Sequence, residues 1–348
     1  MKKILIIALI VVLTFSVLAC SNDQTPGQTG GVGASTVITD GAQPGNSSGS
    51  VSPLTGLKGV TDYRPVQVQI DNEATGRPQY GIQDADVVYE ALIEADATRL
   101  SAIYNDTLPT KVGPVRSSRV YFQYIQNEWD SIYMHDGGPS VAAFSKSYVY
   151  SPENGGDMKV NIDGTRRQSD EVLEKPDVFH PAYANVQLAQ EKNNYQRTQR
   201  NPLFKFNENA DYSKYESFTK VGIPFTGAHG DSQVQYVYDK SADLLTRYNF
   251  GELFLDAGTN KAVTVQNVIV QYVTDELLPN EGGRRLLGVI GAGKAEFFIG
   301  GRHMTGTWQK TNRQAGTVYK LSDGSDLVLK PGNTWIELQP DSKTVAVG

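Results

Sequence analysis

Arg64-Pro-Val-Gln-Val-Gln-Ile70 alternates polar and apolar residues with a period of two. That spacing puts one set of side chains on each face of an extended chain, so the stretch reads as a β-strand. Working outward, Arg99-Leu-Ser-Ala-Ile-Tyr104 reads as a second strand, and Ser131-Ile-Tyr-Met134 as a short buried one. Asp86 to Glu94 fits either a strand or a helix. Ser117 or Ser118 is placed to cap a helix through Val120–Glu128, and Ser140–Lys146 and Asn185–Asn194 are further short helices. The pattern weakens between about 195 and 230. Beyond it the chain turns almost wholly β: Val234–Tyr238, Leu245–Tyr248, Asn267–Val273, Ala295–Ile299, Gly306–Lys310 and Thr334–Leu338 carry strand composition. Thr317–Leu329 reads as a hairpin turning at Ser322-Asp-Gly-Ser325. The expected class is α+β, a mixed N-terminal α/β domain over 53–200 followed by a β-rich C-terminal domain over 201–348.

The chain begins differently. Lys2 and Lys3 precede an apolar run from Ile4 to Leu18, too short for a comfortable bilayer span but right for the core of a secretory signal. The run ends in Val17-Leu18-Ala19-Cys20, which looks like a bacterial lipobox, and Cys20 is the only cysteine of the 348 residues. Residues 1–19 are therefore expected to be a lipoprotein signal peptide and Cys20 the lipidated residue, a membrane anchor on the outer face of the cytoplasmic membrane. Residues 20–52 are rich in Ser, Gly, Thr, Asn and Gln and read as a flexible tether. The chain carries 32 basic and 38 acidic residues. Such an acidic balance argues against a nucleic-acid binder, which needs a basic face.

Several blocks in the folded part then converge. Pro53-Leu-Thr-Gly-Leu57, Arg64-Pro-Val, Ile70-Asp-Asn72, Arg77-Pro-Gln79, Ala85–Glu90, Thr98-Arg-Leu100, Val112–Arg119 and His135-Asp-Gly-Gly-Pro-Ser140 occur in order, followed by Gly306-Thr-Trp-Gln-Lys310 and Pro331–Ile336. Together they resemble the YerB-like lipoprotein family over essentially all of 53–340. The resemblance implies a two-part fold and a lipid-anchored envelope protein, and it implies little chemistry.

Glu90 and Glu94 would share a face in either a strand or a helix, so they form a candidate carboxylate pair for general acid and base work. His135 beside Asp136, at a strand end before two glycines, is a candidate base. In Val112-Gly-Pro-Val-Arg-Ser-Ser-Arg119 a turn leads into a helix start flanked by Arg116 and Arg119. Such a place is receptive to anions, so Arg99, Arg116, Ser117, Arg119 and Asp136 are the candidate ligand-binding residues. Gly288–Lys294 matches most of a phosphate loop, but Ala295 stands where Ser or Thr should hold Mg²⁺ and a strand pattern follows, so no nucleotide is expected. The histidines show no ligand spacing, and neither metal nor cofactor is implied. The expected role is a non-enzymatic binding or scaffold module for a cell-wall component or an envelope protein. The alternative is a wall-polymer hydrolase or lyase using the carboxylate pair.

Overall fold

The computed structural model describes residues 51–60, 62–138, 161–163, 173–174, 182–192, 204–225, 234–279 and 282–348. Cys20, the signal and most of the tether lie outside them, as do Ser140–Lys146, His180 and His229. Among the described residues, no helix is long and apolar enough to cross a membrane.

The first half contains β1 (Val66–Asp71), β2 (Val87–Leu92), β3 (Thr98–Tyr104), β4 (Val112–Val115), α1 (Val120–Trp129), β5 (Ile132–His135), β6 (Asn161–Asp163), β7 (Leu173–Glu174), β8 (Ala182–Ala184) and α2 (Val186–Lys192). The second half is made of short ribbons and long hairpins. It runs through β9 (Glu216–Ser217), β10 (Lys220–Ile223), β11 (Val234–Asp239), β12 (Leu244–Asn249), β13 (Glu252–Leu253), β14 (Leu255–Asp256), β15 (Lys261–Ala262) and β16 (Thr264–Val265). It continues with β17 (Asn267–Val273), β18 (Asp275–Leu277), β19 (Arg285–Leu287), β20 (Gly291–Ile299), β21 (Arg302–Lys310), β22 (Val318–Leu321), β23 (Thr334–Pro340) and β24 (Ala346–Val347). The segment left ambiguous at Asp86–Glu94 is the strand β2, because its partners on both sides are strands. With two α-helices among the described residues, the fold is β-rich, and the α+β class expected from the sequence is corrected accordingly.

One 14-stranded sheet runs through both halves in the order β22-β21-β20-β17-β23-β2-β3-β1-β4-β8-β7, with β5 pairing parallel to β1. β23 lies between β17 and β2 and is parallel to both. Side chains alternate across this sheet. One face carries Val68, Ile70, Val88, Leu100, Val268 and Trp335, which pack with Val221, Tyr236 and Leu245 of a six-stranded sheet built on β10, β11 and β12. The other face carries Tyr89, Ile103, Ile269, Phe297 and Ile336, covered by α1.

α1 is buried at nearly every position, and Trp129 at its end donates its indole N–H to the Tyr89 hydroxyl at 3.0 Å. Its N-cap is Arg119, with no side-chain cap. The serines expected to cap it are engaged elsewhere: Ser117 Oγ donates to the Asp136 carbonyl at 2.8 Å, and Ser118 Oγ meets the Tyr133 hydroxyl. The folded body also includes Val51 and Ser52, which the composition had assigned to the tether. Ser52 is buried; its hydroxyl accepts from the Leu54 and Thr55 amides and donates to Asp106.

Gly306 in β21 has a steric reason. A Cβ there would lie 1.9 Å from the Lys320 carbonyl oxygen of the paired strand β22, which is backbone and cannot swing away. Gly306→Ala is expected to lower stability by about 1–3 kcal/mol, as overpacking does. A urea midpoint equal to that of the parent chain would show that the β21–β22 pair opens without strain.

Candidate functional site

The C-terminal ends of β1, β4 and β5 and the start of β3 meet at one end of the large sheet. Antiparallel register sets Asp71 opposite Arg99, and the Arg116 amide donates to Gln69, which brings Arg116 beside them. The parallel pairing of β5 with β1 delivers His135 and Asp136 to the same end. Four of the sequence blocks therefore converge here: Ile70-Asp-Asn72, Thr98-Arg-Leu100, Val112–Arg119 and His135-Asp-Gly.

Arg116 Nε donates to the buried Asp71 Oδ2 at 2.9 Å while 36% of its side chain remains in solvent. Arg119 grips Glu94 with two N–H groups, from Nε to Oε1 at 2.8 Å and from Nη2 to Oε2. Burial works to raise the Glu94 carboxyl, but the hydrogen bonds and charge of Arg119 outweigh it and hold it below the usual carboxylate range. Arg99 is the most enclosed of the three, its side chain 6% exposed. Its Nη1 donates to the Ser117 carbonyl at 2.8 Å, and its Nε has no hydrogen-bond partner. Burial, reinforced by the charge of Arg119, pushes the Arg99 guanidinium down to about 10. Glu73 approaches Arg99 only at 3.9 Å with half its side chain in solvent, a pair worth little. Arg77 lies nearby, stacked 5.1 Å over the exposed Phe250 ring. The arrangement is a cationic rim whose innermost member is incompletely satisfied.

The carboxylate pair drawn from the sequence does not exist as a pair. Glu90 is fully buried in β2, whereas Glu94 lies past the strand end in a 3₁₀ turn and belongs to Arg119. The shared-face argument assumed that one element continued through both residues, and the strand stops at Leu92. His135 is fully buried as well, with Nδ1 2.9 Å from the Gly137 carbonyl and its ring against Tyr133, so it is not at a cleft surface. Ser117 and Asp136 meet through the Ser117 hydroxyl and the Asp136 main-chain carbonyl. Gly291–Lys294 opens the strand β20, not a phosphate loop.

Glu90 instead faces a carboxylate that the sequence reading missed. Parallel register of β2 and β23 places it opposite Glu337, and Arg247 of β12 reaches between the two sheets to both. Arg247 Nη2 donates to Glu90 Oε2, and Nη1 donates to Glu337 Oε1 at 3.1 Å and to the Tyr236 hydroxyl. Tyr236 in turn donates to Glu337. The guanidinium lies 4.4 Å over Trp335 and 4.9 Å over Phe254. Arg247, Glu90 and Glu337 are all fully buried. Burial first, and then the neighbouring Glu90 charge, pushes the Glu337 carboxyl up to about 8. The Glu337 anion is thus disfavoured beside Glu90, and Arg247 is the cation that contacts both. Asn72 joins this cluster to the arginine rim: its amide donates to Glu90 at 3.0 Å, one residue beyond Asp71. A usable signal was present. Arg247 sits between Leu245 and Asn249 on the inward positions of an alternating strand, and Glu337 interrupts an apolar run.

The comparisons agree with the motif blocks. The model of "Protein of unknown function (DUF3048) N-terminal domain" matches residues 54–199, and that of the corresponding C-terminal domain matches residues 223–336. "Putative lipoprotein YerB" of Bacillus subtilis (strain 168) is 32% identical over 311 residues, which make up 88% of this chain and 91% of that protein. The crystal structure of the YerB protein from Bacillus subtilis matches with a TM-score of 0.71 at 30% identity, covering 86% of this chain and 99% of that one. With both domain models aligned in order and a relative matched along nearly its whole length, the chain belongs to the DUF3048 family and is a homologue of YerB.

Proposed function

We propose that the protein is a lipid-anchored, extracytoplasmic and non-enzymatic binding module that holds an anionic group of a cell-wall component at Arg99, Arg116 and Arg119. The observation that carries this reading is Arg99, a guanidinium enclosed to 6% exposure with its Nε unpartnered and two further arginines beside it. A carboxylate or phosphate arriving beside it would take charge-assisted hydrogen bonds from Arg116, the most exposed of the three. Anchoring at Cys20 is supported by the Val17–Cys20 motif and by the name lipoprotein carried by the homologue. The carboxylate-pair alternative has no comparable support, since Glu90 is sealed in the core and Glu94 is neutralised.

The test is co-sedimentation of the full-length chain in detergent with purified cell wall. Arg116→Ala in an Asp71→Asn background, which removes the partly exposed guanidinium without stranding the buried Asp71 carboxylate, is expected to weaken sedimentation at least tenfold relative to Asp71→Asn alone. Equal sedimentation of the two chains would remove the arginine rim from the interaction. Absence of sedimentation by the parent chain would redirect the search to a membrane protein partner.

A further inference from the structure

A second polar assembly lies on the β20–β21 hairpin, built from other strands than the arginine rim. Glu296 accepts from the Tyr272 hydroxyl at 2.6 Å through one oxygen and meets His303 Nε2 at 2.5 Å through the other. Burial works to raise the Glu296 carboxyl, but these two hydrogen bonds and the charge of His303 outweigh it and hold it below the usual range. An ionised carboxylate accepts only, so Nε2 carries a proton toward it and Nδ1 is left for a further hydrogen bond. The imidazole also lies flat on Phe298, with centroids 4.7 Å apart and planes 2° from parallel. The ring is thereby held in plane with Nε2 on Glu296, and Nδ1 makes no hydrogen bond with the described residues.

A cross-strand ladder of this kind could be no more than surface decoration. What distinguishes this one is the space around it. A cavity of about 760 Å³ is lined by Tyr272 and Glu296, and another of about 410 Å³ by His303 and Tyr215. Both include Thr305 and Ser322, exposed residues whose hydroxyls are 2.8 Å apart. Both volumes fall within the roughly 300–1,000 Å³ of small-molecule sites. The walls carry three lysines (Lys214, Lys294 and Lys343) against four carboxylates, so there is no strong net field to select a polyion. What they present instead is hydroxyl groups and one oriented imidazole nitrogen, with the largely buried Tyr272 and Trp308 rings in the wall of the larger cavity.

From this geometry we infer that the two cavities form one groove for a neutral, hydroxyl-rich chain, an oligosaccharide, with a ligand hydroxyl hydrogen-bonded to His303 Nδ1. Thr305 and Ser322 stand at the passage between the two halves of the groove. Glu296 acts through His303, as a positioning residue. Nothing in this assignment depends on the arginine rim.

The experiment is ligand-observed NMR of chitotetraose and of maltotetraose with the full-length chain in detergent, with pentaglycine as a peptide control. Saturable binding of at least one sugar is expected. Thr305→Trp, at an exposed strand position that tolerates a large side chain, is expected to weaken that binding at least tenfold by filling the passage. His303→Gln, which keeps a donor toward Glu296 but removes the imidazole Nδ1, is expected to do the same, with both thermal midpoints close to that of the parent chain. Lack of saturable binding by either sugar, undiminished binding in Thr305→Trp, or binding of pentaglycine in their place would each overturn the assignment.

Discussion

Arg247→Met alone is expected to lower the unfolding free energy by about 3–5 kcal/mol, the range for removing one partner of a buried ion pair. The reason is geometric. Glu90 on β2 and Glu337 on β23 are cross-strand neighbours, and Arg247 is the cation that contacts both. Without it the pair's charge stays in a core packed by Trp335 and Phe254, with only the Tyr236, Thr98 and Asn72 donors left. The same argument predicts a rescue. The triple variant Arg247→Met, Glu90→Gln, Glu337→Gln carries no charge at that place, and most of the loss is expected to return. Urea titrations of the single and triple variants measure both effects. A single variant costing less than about 1 kcal/mol would mean that the cluster is not charged in the folded chain.

The second large effect concerns pH. The Glu337 carboxyl ionises near 4.5 when unfolded and at about 8 in the folded chain. Between those values the folded chain holds a proton that the unfolded chain has released. Stability from this group is therefore fully present below about 4.5 and lost as pH rises toward 8, by about 1.4 kcal/mol per unit. The direction is opposite to that of an ordinary salt-bridged carboxylate. Glu337→Gln, which keeps an acceptor for Tyr236 and Arg247, is expected to flatten the dependence and to be the more stable chain at pH 8. Denaturant midpoints at pH 5, 6.5 and 8 for both chains provide the check. Parallel pH profiles would show that the pair does not carry the extra proton.

Local pattern was enough to find most of the strands. The alternation at Arg64–Ile70 is β1, the apolar run at Asn267–Val273 is β17, and the helix placed at Val120–Glu128 is α1 with one further residue. These signals are properties of neighbouring residues, so a reader of the chain has all that is needed. The order of strands is a property of distant ones. Nothing near Thr334–Leu338 says that it will lie between β17 and β2, and the Arg247–Glu90 contact spans 157 positions. The site divides in the same way. Arg99, Arg116 and Arg119 lie in short adjoining blocks and were legible as a group. Their counterions were not: Asp71 and Glu94 come from other segments, and the latter had been paired with Glu90 by a periodicity that ends at Leu92. Tyr272, Glu296 and His303 were legible only as strand residues, because a diagonal across three strands leaves no mark in a linear spacing.

The position of β23 has a consequence for how the molecule comes into being. Until Thr334–Pro340 is in place, β2 and β17 each keep an open hydrogen-bonding edge, and the two halves have no shared strand to join them. Open edges invite pairing with other chains. Closure also demands contacts of very high sequence separation, which form slowly. The sheet is therefore completed only when Thr334–Pro340 docks, and the folding chain depends on β2 and β17 staying unpaired until then.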